Sequence, residues 1–315
     1  MTALCIAHRG GAALAPENTL SAFANAVALG ADGAELDVQL TRDGEVVVVH
    51  DLCLPADLCR DSTGAWLVPP TPLIADLTRE EIARFEVGVA RPHSPYALAH
   101  PLLRPCEGER IPTLADVIEL LRPLREFRLF IEMKTGPADL PSGIACAKLA
   151  EATIAVLREP DFLGRSILVG FDWRGLLLAK RLEPAVRCWF STRPQSWFGD
   201  ADPPPTDDPP PEPVRQLLRQ WARTGTSPWA AGFDAVAHGG SLPAAIAAAG
   251  GDGWFSYHCD ATPEAIAEAH ARGLKVGAWT VDDPAEMAAL ANAGIDAVCT
   301  DSPDLKRKAP QENRP

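Results

Sequence analysis

The sequence predicts an α/β fold, specifically a (β/α)8 or TIM barrel with a small insertion after the second strand. Short apolar or β-branched runs alternate with longer Ala/Leu-rich segments of helical spacing, a pattern typical of repeated βα units. Eight such runs occur, and the 315 residues fall within the usual length of this barrel. The strand number favours the barrel over the alternative of a doubly wound sheet.

The predicted strands are the runs richest in apolar and β-branched residues. In chain order they cover residues 4–8, 34–40, 129–134, 166–171, 186–191, 254–257, 275–281 and 297–301. A parallel barrel of this kind places its active site at the carboxyl ends of the strands. Polar residues at those ends are therefore the candidates for chemistry.

The predicted helices lie between the strands and carry residues suited to helix ends. They cover residues 19–29, 114–124, 143–157, 174–182, 214–223, 263–272 and 284–293. Asn18 or Thr19 can cap the first helix, and Thr262 and Asp283 precede the prolines that open the last two. Glycines that can end a helix follow three of them, at Gly30, Gly273 and Gly294.

Two segments interrupt the repeat. Residues 51–110, rich in Pro, His and Arg, are predicted to form an insertion over the active-site face, between the run 46–50 and the helix at Leu114. Residues 199–213, GDADPPPTDDPPPEP, are predicted to be a loop that joins neither helix nor sheet and has no chemical role. The chain is thus interpreted as one barrel domain, residues 1–308, and a tail, residues 309–315.

The charge and cysteine content exclude several classes of function. With 29 Lys plus Arg against 42 Asp plus Glu, the formal charge is −13, and the one basic run is Lys306–Lys308. This disfavours binding to nucleic acid or to an anionic membrane. We find neither a signal peptide nor an apolar stretch of about 18 residues, and the eight scattered cysteines contain no C-x-x-C pair. We therefore expect a soluble, cytoplasmic protein with reduced thiols.

Charged residues two positions apart occur on two predicted strands. Glu35 and Asp37 lie on the second strand, and Glu132 and Lys134 end the third. Side chains two apart on a strand leave the same face. If the apolar residues between them face the helices, these charged groups face the barrel axis together.

Such a cluster of carboxylates needs cations, because burying an unpaired charge costs several kcal/mol. Three converging oxygen ligands, Glu35, Asp37 and Glu132, suit a hard divalent ion such as Mg²⁺ or Ca²⁺ better than zinc. The alternative is a structural ion-pair cluster with Lys134 and Arg9. Spacing alone does not separate the two interpretations.

Two histidines and an arginine lie at neighbouring strand ends. His8 and Arg9 end the first strand, and His50 follows the run 46–49. Two histidines beside one metal can divide general acid and general base duties, because both titrate near neutral pH. The planar guanidinium of Arg9 is suited to clamping a phosphate. Together these groups predict a site for displacement at phosphorus.

The order and spacing of these motifs resemble those of the glycerophosphodiester phosphodiesterase family. The resemblance spans almost the whole chain, from His8 to Asp304, and rests on HRGGAALAPENTLSAF, GADGAELDVQLTRDGEVVVVHD, IPTLADV, IEMKTG, GLKVGAWTVDDP and GIDAVCTDSPD. It implies a (β/α)8 barrel that hydrolyses glycerophosphodiesters to glycerol 3-phosphate and an alcohol. It further implies that residues 51–110 are the family's insertion, which shapes the leaving-group pocket.

The resemblance also implies roles for single residues. His8 and His50 match the catalytic histidines, Arg9 and Lys134 match phosphate-contacting positions, and Glu35, Asp37 and Glu132 match the ligands of one divalent metal ion, Mg²⁺ or Ca²⁺. Trp279 matches a position where an aromatic wall lies beside the glycerol, although core packing is an equal alternative. Glu17 and Asn18 match positions expected to brace the strand-one loop, and Asp301 is interpreted as another bracing carboxylate.

The sequence departs from the family's pattern in two places that concern substrate choice. ADLCRDSTG stands after His50-Asp51, and Gly170-Phe171 stands where Ser-Phe is common. Two alternatives therefore stay open: an enzyme acting on lysophospholipids or another phosphodiester at the same site, and a non-catalytic barrel that binds phosphorylated metabolites. The retained histidines and carboxylates disfavour the non-catalytic barrel. We expect a small-molecule substrate, with His50 as base and His8 as acid; the oligomeric state stays open.

Overall fold

A computed structural model describes residues 3–136, 143–158 and 160–307. The predicted tail, residues 309–315, lies outside the described residues. The described residues form nine strands: β1 Leu4–Ala7, β2 Gly33–Leu40, β3 Val46–Val48, β4 Arg128–Met133, β5 Ser166–Gly170, β6 Arg187–Ser191, β7 Gly253–Tyr257, β8 Lys275–Trp279 and β9 Ala297–Thr300. None of the described helices is long and apolar enough to cross a membrane.

Eight parallel strands close into a barrel, which confirms the predicted fold class. The sheet runs β1-β9-β8-β7-β6-β5-β4-β2, and pairing of β1 with β2 closes it. The extra strand β3 pairs antiparallel with β2 outside the ring, with Val38 opposite Val48. Each predicted barrel strand is present, but several end one or two residues earlier than predicted, because the chain turns where the polar residues begin.

The described residues form eleven α-helices, and seven of them match the seven predicted segments closely. The eleven are α1 Leu20–Leu29, α2 Arg79–Ile82, α3 Pro95–Ala99, α4 Leu114–Leu121, α5 Ile144–Leu157, α6 Pro160–Leu163, α7 Trp173–Leu182, α8 Glu212–Thr224, α9 Leu242–Ala248, α10 Pro263–Ala271 and α11 Pro284–Asn292. Of the two candidate caps for α1, Thr19 is the one that accepts the backbone N–H of Ala22.

Four short helices, α2, α3, α6 and α9, were not predicted, because segments of four to seven residues carry little helical periodicity. The prediction that residues 199–213 join no helix is wrong for the last two of them, Glu212 and Pro213. Helix α8 begins at Glu212 and places Pro213 in its first turn, where a missing N–H costs no hydrogen bond.

Alternation along the strands separates two apolar cores. Outward-facing residues such as Leu36, Ile131 and Phe190 pack against the helices. Inward-facing residues fill the barrel: Ile6, Phe130, Ile167, Val169, Trp189, Phe255, Ala297 and Cys299. The segment between β3 and α4 has a small core of its own, which includes Leu54, Ile74, Ile82 and Ile111.

Candidate active site

Three carboxylates project into the mouth of the barrel from two adjacent strands. Asp37 on β2 lies opposite Glu132 on β4, and Glu35 is two residues before Asp37. All three side chains are buried, with 1% exposure for Glu35 and for Asp37 and 9% for Glu132. One oxygen from each lies within 4.8 Å of the others. The same-face placement follows from strand alternation, as the sequence predicts.

The cations at this cluster pair with two of the three carboxylates and leave one oxygen of the third without a partner. Lys134 Nζ lies 2.7 Å from Glu132 Oε1 and 3.1 Å from Asp37 Oδ1. Arg9 Nε lies 3.4 Å from Asp37 Oδ2. Glu35 Oε1 is buried and has no hydrogen-bond partner among the described residues. The ion-pair interpretation thus accounts for Asp37 and Glu132 but not for this oxygen of Glu35.

The electrostatics of the cluster differ from one carboxyl to the next. Burial, and then the neighbouring Asp37, raise the pKa of Glu35. Burial also opposes ionisation of Asp37, but Lys134 and Arg9 outweigh it and hold the pKa of Asp37 well below its usual range. A further cation beside Glu35 would remove this repulsion.

The donor set fits a hard divalent ion. All three potential ligands are carboxylate oxygens, which Mg²⁺ and Ca²⁺ prefer. The structure therefore brings together the predicted metal ligands, and within the described residues it leaves Oε1 of Glu35 free to bind an ion.

His8 lies at the edge of the cluster and contacts a carboxylate from the last strand. Its Nδ1 is 2.7 Å from Asp301 Oδ1, and its Nε2 is 3.9 Å from Glu35 Oε2. Burial alone would lower the pKa of His8, but Asp301 reverses this and raises it to about 9. Asp301 thus fixes the ring and favours the protonated imidazole.

His50 follows β3 at the other side of the carboxylates. Its Nδ1 lies 2.8 Å from Oδ1 of the adjacent Asp51. Gln39 on β2 donates from Nε2 to the backbone oxygens of residues 49, 50 and 51, at 3.0, 3.1 and 2.6 Å. These bonds fix the backbone that carries His50.

A turn after β1 aims Arg9 at the cluster. Arg9 and Asn18 both have positive φ, 49° and 57°, a conformation that non-glycine residues rarely adopt. In this turn the Arg9 backbone N–H donates to Glu35 Oε2 at 3.1 Å. Glu17 accepts from Arg9 Nη1 at 2.9 Å, and Asn18 donates to Asp37 Oδ2 at 2.8 Å.

Glycine is required next to Arg9, because helix α1 approaches the turn closely. A Cβ on Gly10, whose φ is +85°, would lie 2.7 Å from the Ala22 side chain. The predicted bracing by Glu17 and Asn18 therefore corresponds to direct contacts with Arg9 and Asp37.

Aromatic residues line the mouth opposite the carboxylates. Trp279 at the end of β8 has its ring centroid 5.4 Å from that of Phe171 and 5.5 Å from that of Tyr257. Trp279 also donates its indole N–H to the backbone oxygen of Phe255 at 3.2 Å. Trp279 is partly buried and sits at the mouth, so it forms a wall of the site as well as packing against the barrel interior.

Sequence reasoning missed the partner of His8 and the position of Arg193, and it connected Phe171 with substrate choice only through the family's pattern. Asp301 is the hydrogen-bonding partner of His8, whereas the sequence suggested only a bracing carboxylate. Phe171 and Arg193 also reach the mouth; Arg193 follows β6 by two residues and has its guanidinium carbon 5.3 Å from the Phe171 ring centroid. For Phe171 and Arg193 the available signal was strand alternation. Phe171 lies two residues beyond the inward-facing Val169, and Arg193 lies four residues beyond the inward-facing Trp189.

The loop 199–213, predicted to lack a role, is anchored at the mouth. Asp207 is 8% exposed and accepts the Tyr257 hydroxyl at 2.8 Å, and its backbone oxygen accepts the Trp197 indole N–H at 3.0 Å. The loop therefore supports the aromatic side of the site.

Comparison with known proteins relates this geometry to one family. A model of the glycerophosphoryl diester phosphodiesterase family matches residues 8–305. A curated glycerophosphodiester phosphodiesterase of Caldanaerobacter subterraneus is 30% identical over 304 residues, 96% of each chain. A putative glycerophosphodiester phosphodiesterase of Bacillus subtilis is 29% identical over 300 residues, 95% of each chain.

Solved structures agree. A putative glycerophosphoryl diester phosphodiesterase from Silicibacter pomeroyi has a TM-score of 0.79 at 29% identity, covering 97% of this chain and 92% of that one. A phosphodiesterase from Oleispira antarctica, solved in complex with sn-glycerol-3-phosphate, shares the fold with a TM-score of 0.66 at 22% identity, covering 98% of this chain and 96% of that one.

Proposed function

The chain belongs to the glycerophosphoryl diester phosphodiesterase family, and from that premise we propose that it hydrolyses glycerophosphodiesters to sn-glycerol 3-phosphate and an alcohol. The observation that carries the proposal is the meeting of three buried carboxylates with the His8–Asp301 pair at one end of the barrel. The glycerol 3-phosphate in the complex of the Oleispira relative supports the same product here.

We propose that Glu35, Asp37 and Glu132 hold one divalent ion, Mg²⁺ or Ca²⁺. The ion would polarise a phosphoryl oxygen as a Lewis acid and offset the charge of the three carboxylates. The unpartnered oxygen of Glu35 supports this assignment, because a buried carboxylate oxygen without a donor or cation is costly.

The protein's own groups would orient the phosphate and move the protons. Arg9 and Lys134, which flank the carboxylates, would hold phosphate oxygens as charge develops on them. His50 would take the proton from the attacking hydroxyl. If this is water, glycerol 3-phosphate forms directly; if it is glycerol's own hydroxyl, a cyclic phosphate forms and water must then open it. His8, protonated and oriented by Asp301, would give a proton from Nε2 to the departing alcohol oxygen. Trp279 would form the wall beside the glycerol.

We further propose a cytoplasmic location. All eight cysteines are free thiols in the structure, which suits a reducing compartment. The product, a phosphorylated glycerol, connects the reaction with glycerol and lipid metabolism.

Turnover of glycerophosphocholine by histidine variants tests the catalytic assignment. His8→Ala and His50→Ala should each lower kcat by about 10² to 10⁴-fold, the usual contribution of general acid–base catalysis. His270→Ala is the matched control, because His270 pairs with Asp296 away from the mouth and should keep wild-type turnover. Wild-type rates in the His8→Ala, His50→Ala double variant would refute the assignment.

Two further assays separate the alternatives. Activity that survives exhaustive chelation would refute the metal. Side-by-side turnover of glycerophosphocholine and a lysophospholipid identifies the preferred substrate class. A protein that binds glycerol 3-phosphate but turns over neither compound would instead be a non-catalytic binding barrel.

A further inference from the structure

Arg193 is a cation at the mouth of the barrel that the proposed reaction does not use. Its guanidinium carbon lies 5.3 Å from the ring centroid of Phe171 and 5.0 Å from that of Trp229. Phe171 in turn packs edge-on against Trp279. Arg193 is therefore continuous with the aromatic side of the active site.

Within the described chain, the Arg193 guanidinium forms no ion pair and donates no hydrogen bond. This contrasts with Arg9 and Lys134, which both contact carboxylates. A guanidinium has five N–H donors, and those of the partly buried Arg193 are open to solvent or to a ligand. Burial lowers the pKa of Arg193 to about 10. An anion on a ligand would supply the missing acceptors.

Arg193 borders a cavity of about 110 Å³ between the end of β6 and the segment that follows α8. Two other polar groups on its wall also lack partners. Ser191 Oγ and Asp234 Oδ2 are buried and form no hydrogen bond to the part of the chain that the structure describes, in residues that are 2% and 5% exposed. The other Asp234 oxygen accepts the Ser227 backbone N–H at 3.2 Å. The wall thus offers donors at Arg193, an acceptor at Asp234 and a hydroxyl at Ser191.

This combination complements a small zwitterion. A carboxylate would accept from Arg193 in a bidentate arrangement, and an ammonium would donate to the free Asp234 oxygen. Aromatic side chains on the cavity wall, Trp173, Phe198, Trp229 and Phe233, would pack against the carbon atoms between them. Because glycerol carries no charge, the zwitterion on a glycerophosphodiester belongs to the departing alcohol.

We propose that this cavity is the subsite for a departing alcohol that bears both a carboxylate and an ammonium group, with Arg193 and Asp234 as its specificity-determining residues. The assignment rests on the proposed glycerophosphodiesterase function and names its preferred substrate class. It assigns Arg193 to the departing alcohol, separate from the proposed phosphate contacts Arg9 and Lys134, and it places this part of the leaving-group pocket outside the insertion 51–110.

Three substrates that differ by single groups test the subsite. Glycerophosphoserine carries both charged groups, glycerophosphoethanolamine carries the ammonium alone, and glycerophosphoglycerol carries neither. The wild-type kcat/KM should rise by about 10- to 100-fold with the carboxylate, the usual range for a hydrogen bond to a charged group. Arg193→Gln should remove that gain, and Asp234→Asn should instead reduce the preference for ethanolamine over glycerol.

The matched control is Arg187→Gln on the opposite end of the same strand, where the guanidinium donates to the Gly164 backbone oxygen. It should keep the wild-type preference, and melting temperatures should show that all variants fold. An equal loss on all three substrates in Arg193→Gln would place this residue on the shared glycerophosphate and overturn the subsite. An unchanged preference in Arg193→Gln, or no preference in the wild type, would also overturn it and leave a cavity that holds water.

Calorimetry separates failure of the subsite from failure of the proposed function. If the wild-type protein hydrolyses none of the three compounds, the proposed function fails. Glycerophosphoserine should then still bind the wild type at least 10-fold more tightly than it binds Arg193→Gln. Equal affinity for the two proteins would refute the subsite by itself.

Discussion

The His8–Asp301 contact gives the sharpest prediction about this site. Asp301→Asn keeps the size of the side chain and removes the charge that lies 2.7 Å from His8 Nδ1. The pKa of His8 stands at about 9, against an ordinary value of 6.5, and Asp301 is the largest of the influences that raise it. At 1.36 kcal/mol for each pKa unit, this favours the charged imidazole by about 3 kcal/mol.

A general acid must be protonated to act, so kcat/KM should fall as the pH rises through the pKa of that acid. In the wild type the alkaline limb of the kcat/KM profile should fall near pH 9. In Asp301→Asn the limb should move towards or below 6.5, because burial then acts on His8 without the opposing carboxylate. At pH 8 the protonated fraction of His8 is about 0.9 for a pKa of 9 and about 0.03 for a pKa of 6.5, so the expected loss is about 30-fold.

Stability gives a second readout that does not depend on turnover. Because the folded pKa of His8 is raised, its contribution to the free energy of unfolding is full below pH 6.5 and is lost as the pH rises through about 9. Asp301→Asn should therefore be less stable than the wild type at pH 6, and the difference should shrink towards pH 9.5.

The control is a second aspartate–histidine contact of similar length. Asp296 Oδ2 lies 2.9 Å from His270 Nε2, away from the mouth. Asp296→Asn should leave the pH profile unchanged even if it lowers the melting temperature. An Asp301→Asn enzyme with wild-type turnover and an unmoved alkaline limb would refute the role of Asp301.

Three further perturbations test the metal site, the barrel interior and a helix cap. At a concentration 100 times Kd, Mg²⁺ should stabilise the wild type by about 2.7 kcal/mol, and Glu35→Gln should lose most of this shift in a thermal melt, since it removes one ligand. Phe130→Ala should lower the free energy of unfolding in urea by about 3 to 5 kcal/mol, because Phe130 is fully buried between Trp189 and Phe255. Thr113→Ala should lower the free energy of unfolding by about 1 kcal/mol in the same measurement, because Thr113 caps α4 within a capping box. A loss below about 0.3 kcal/mol in Phe130→Ala would contradict the packing argument, and one in Thr113→Ala would contradict the capping argument.

Strand periodicity was sufficient to predict most of the barrel. The eight barrel strands and the seven longer helices lie where the apolar pattern places them, because one face of each must be buried against the next layer. The inward direction of Glu35 and Asp37 follows from the same alternation. The short helices were missed, since a single turn is stabilised by tertiary contacts more than by its own sequence.

The fold class, the candidate carboxylates and histidines, and the strand ends that carry them were predictable from the amino-acid sequence, because they depend on local periodicity and on the closure of parallel strands. Which groups meet across the mouth became visible only in the folded chain. The contact between His8 and Asp301 joins residues 293 apart in the chain, and the cavity beside Arg193 is completed by Asp234, which comes from the segment after α8. Such contacts depend on how the first and last strands close the ring and on how loops pack over it, and no local pattern in the sequence records either.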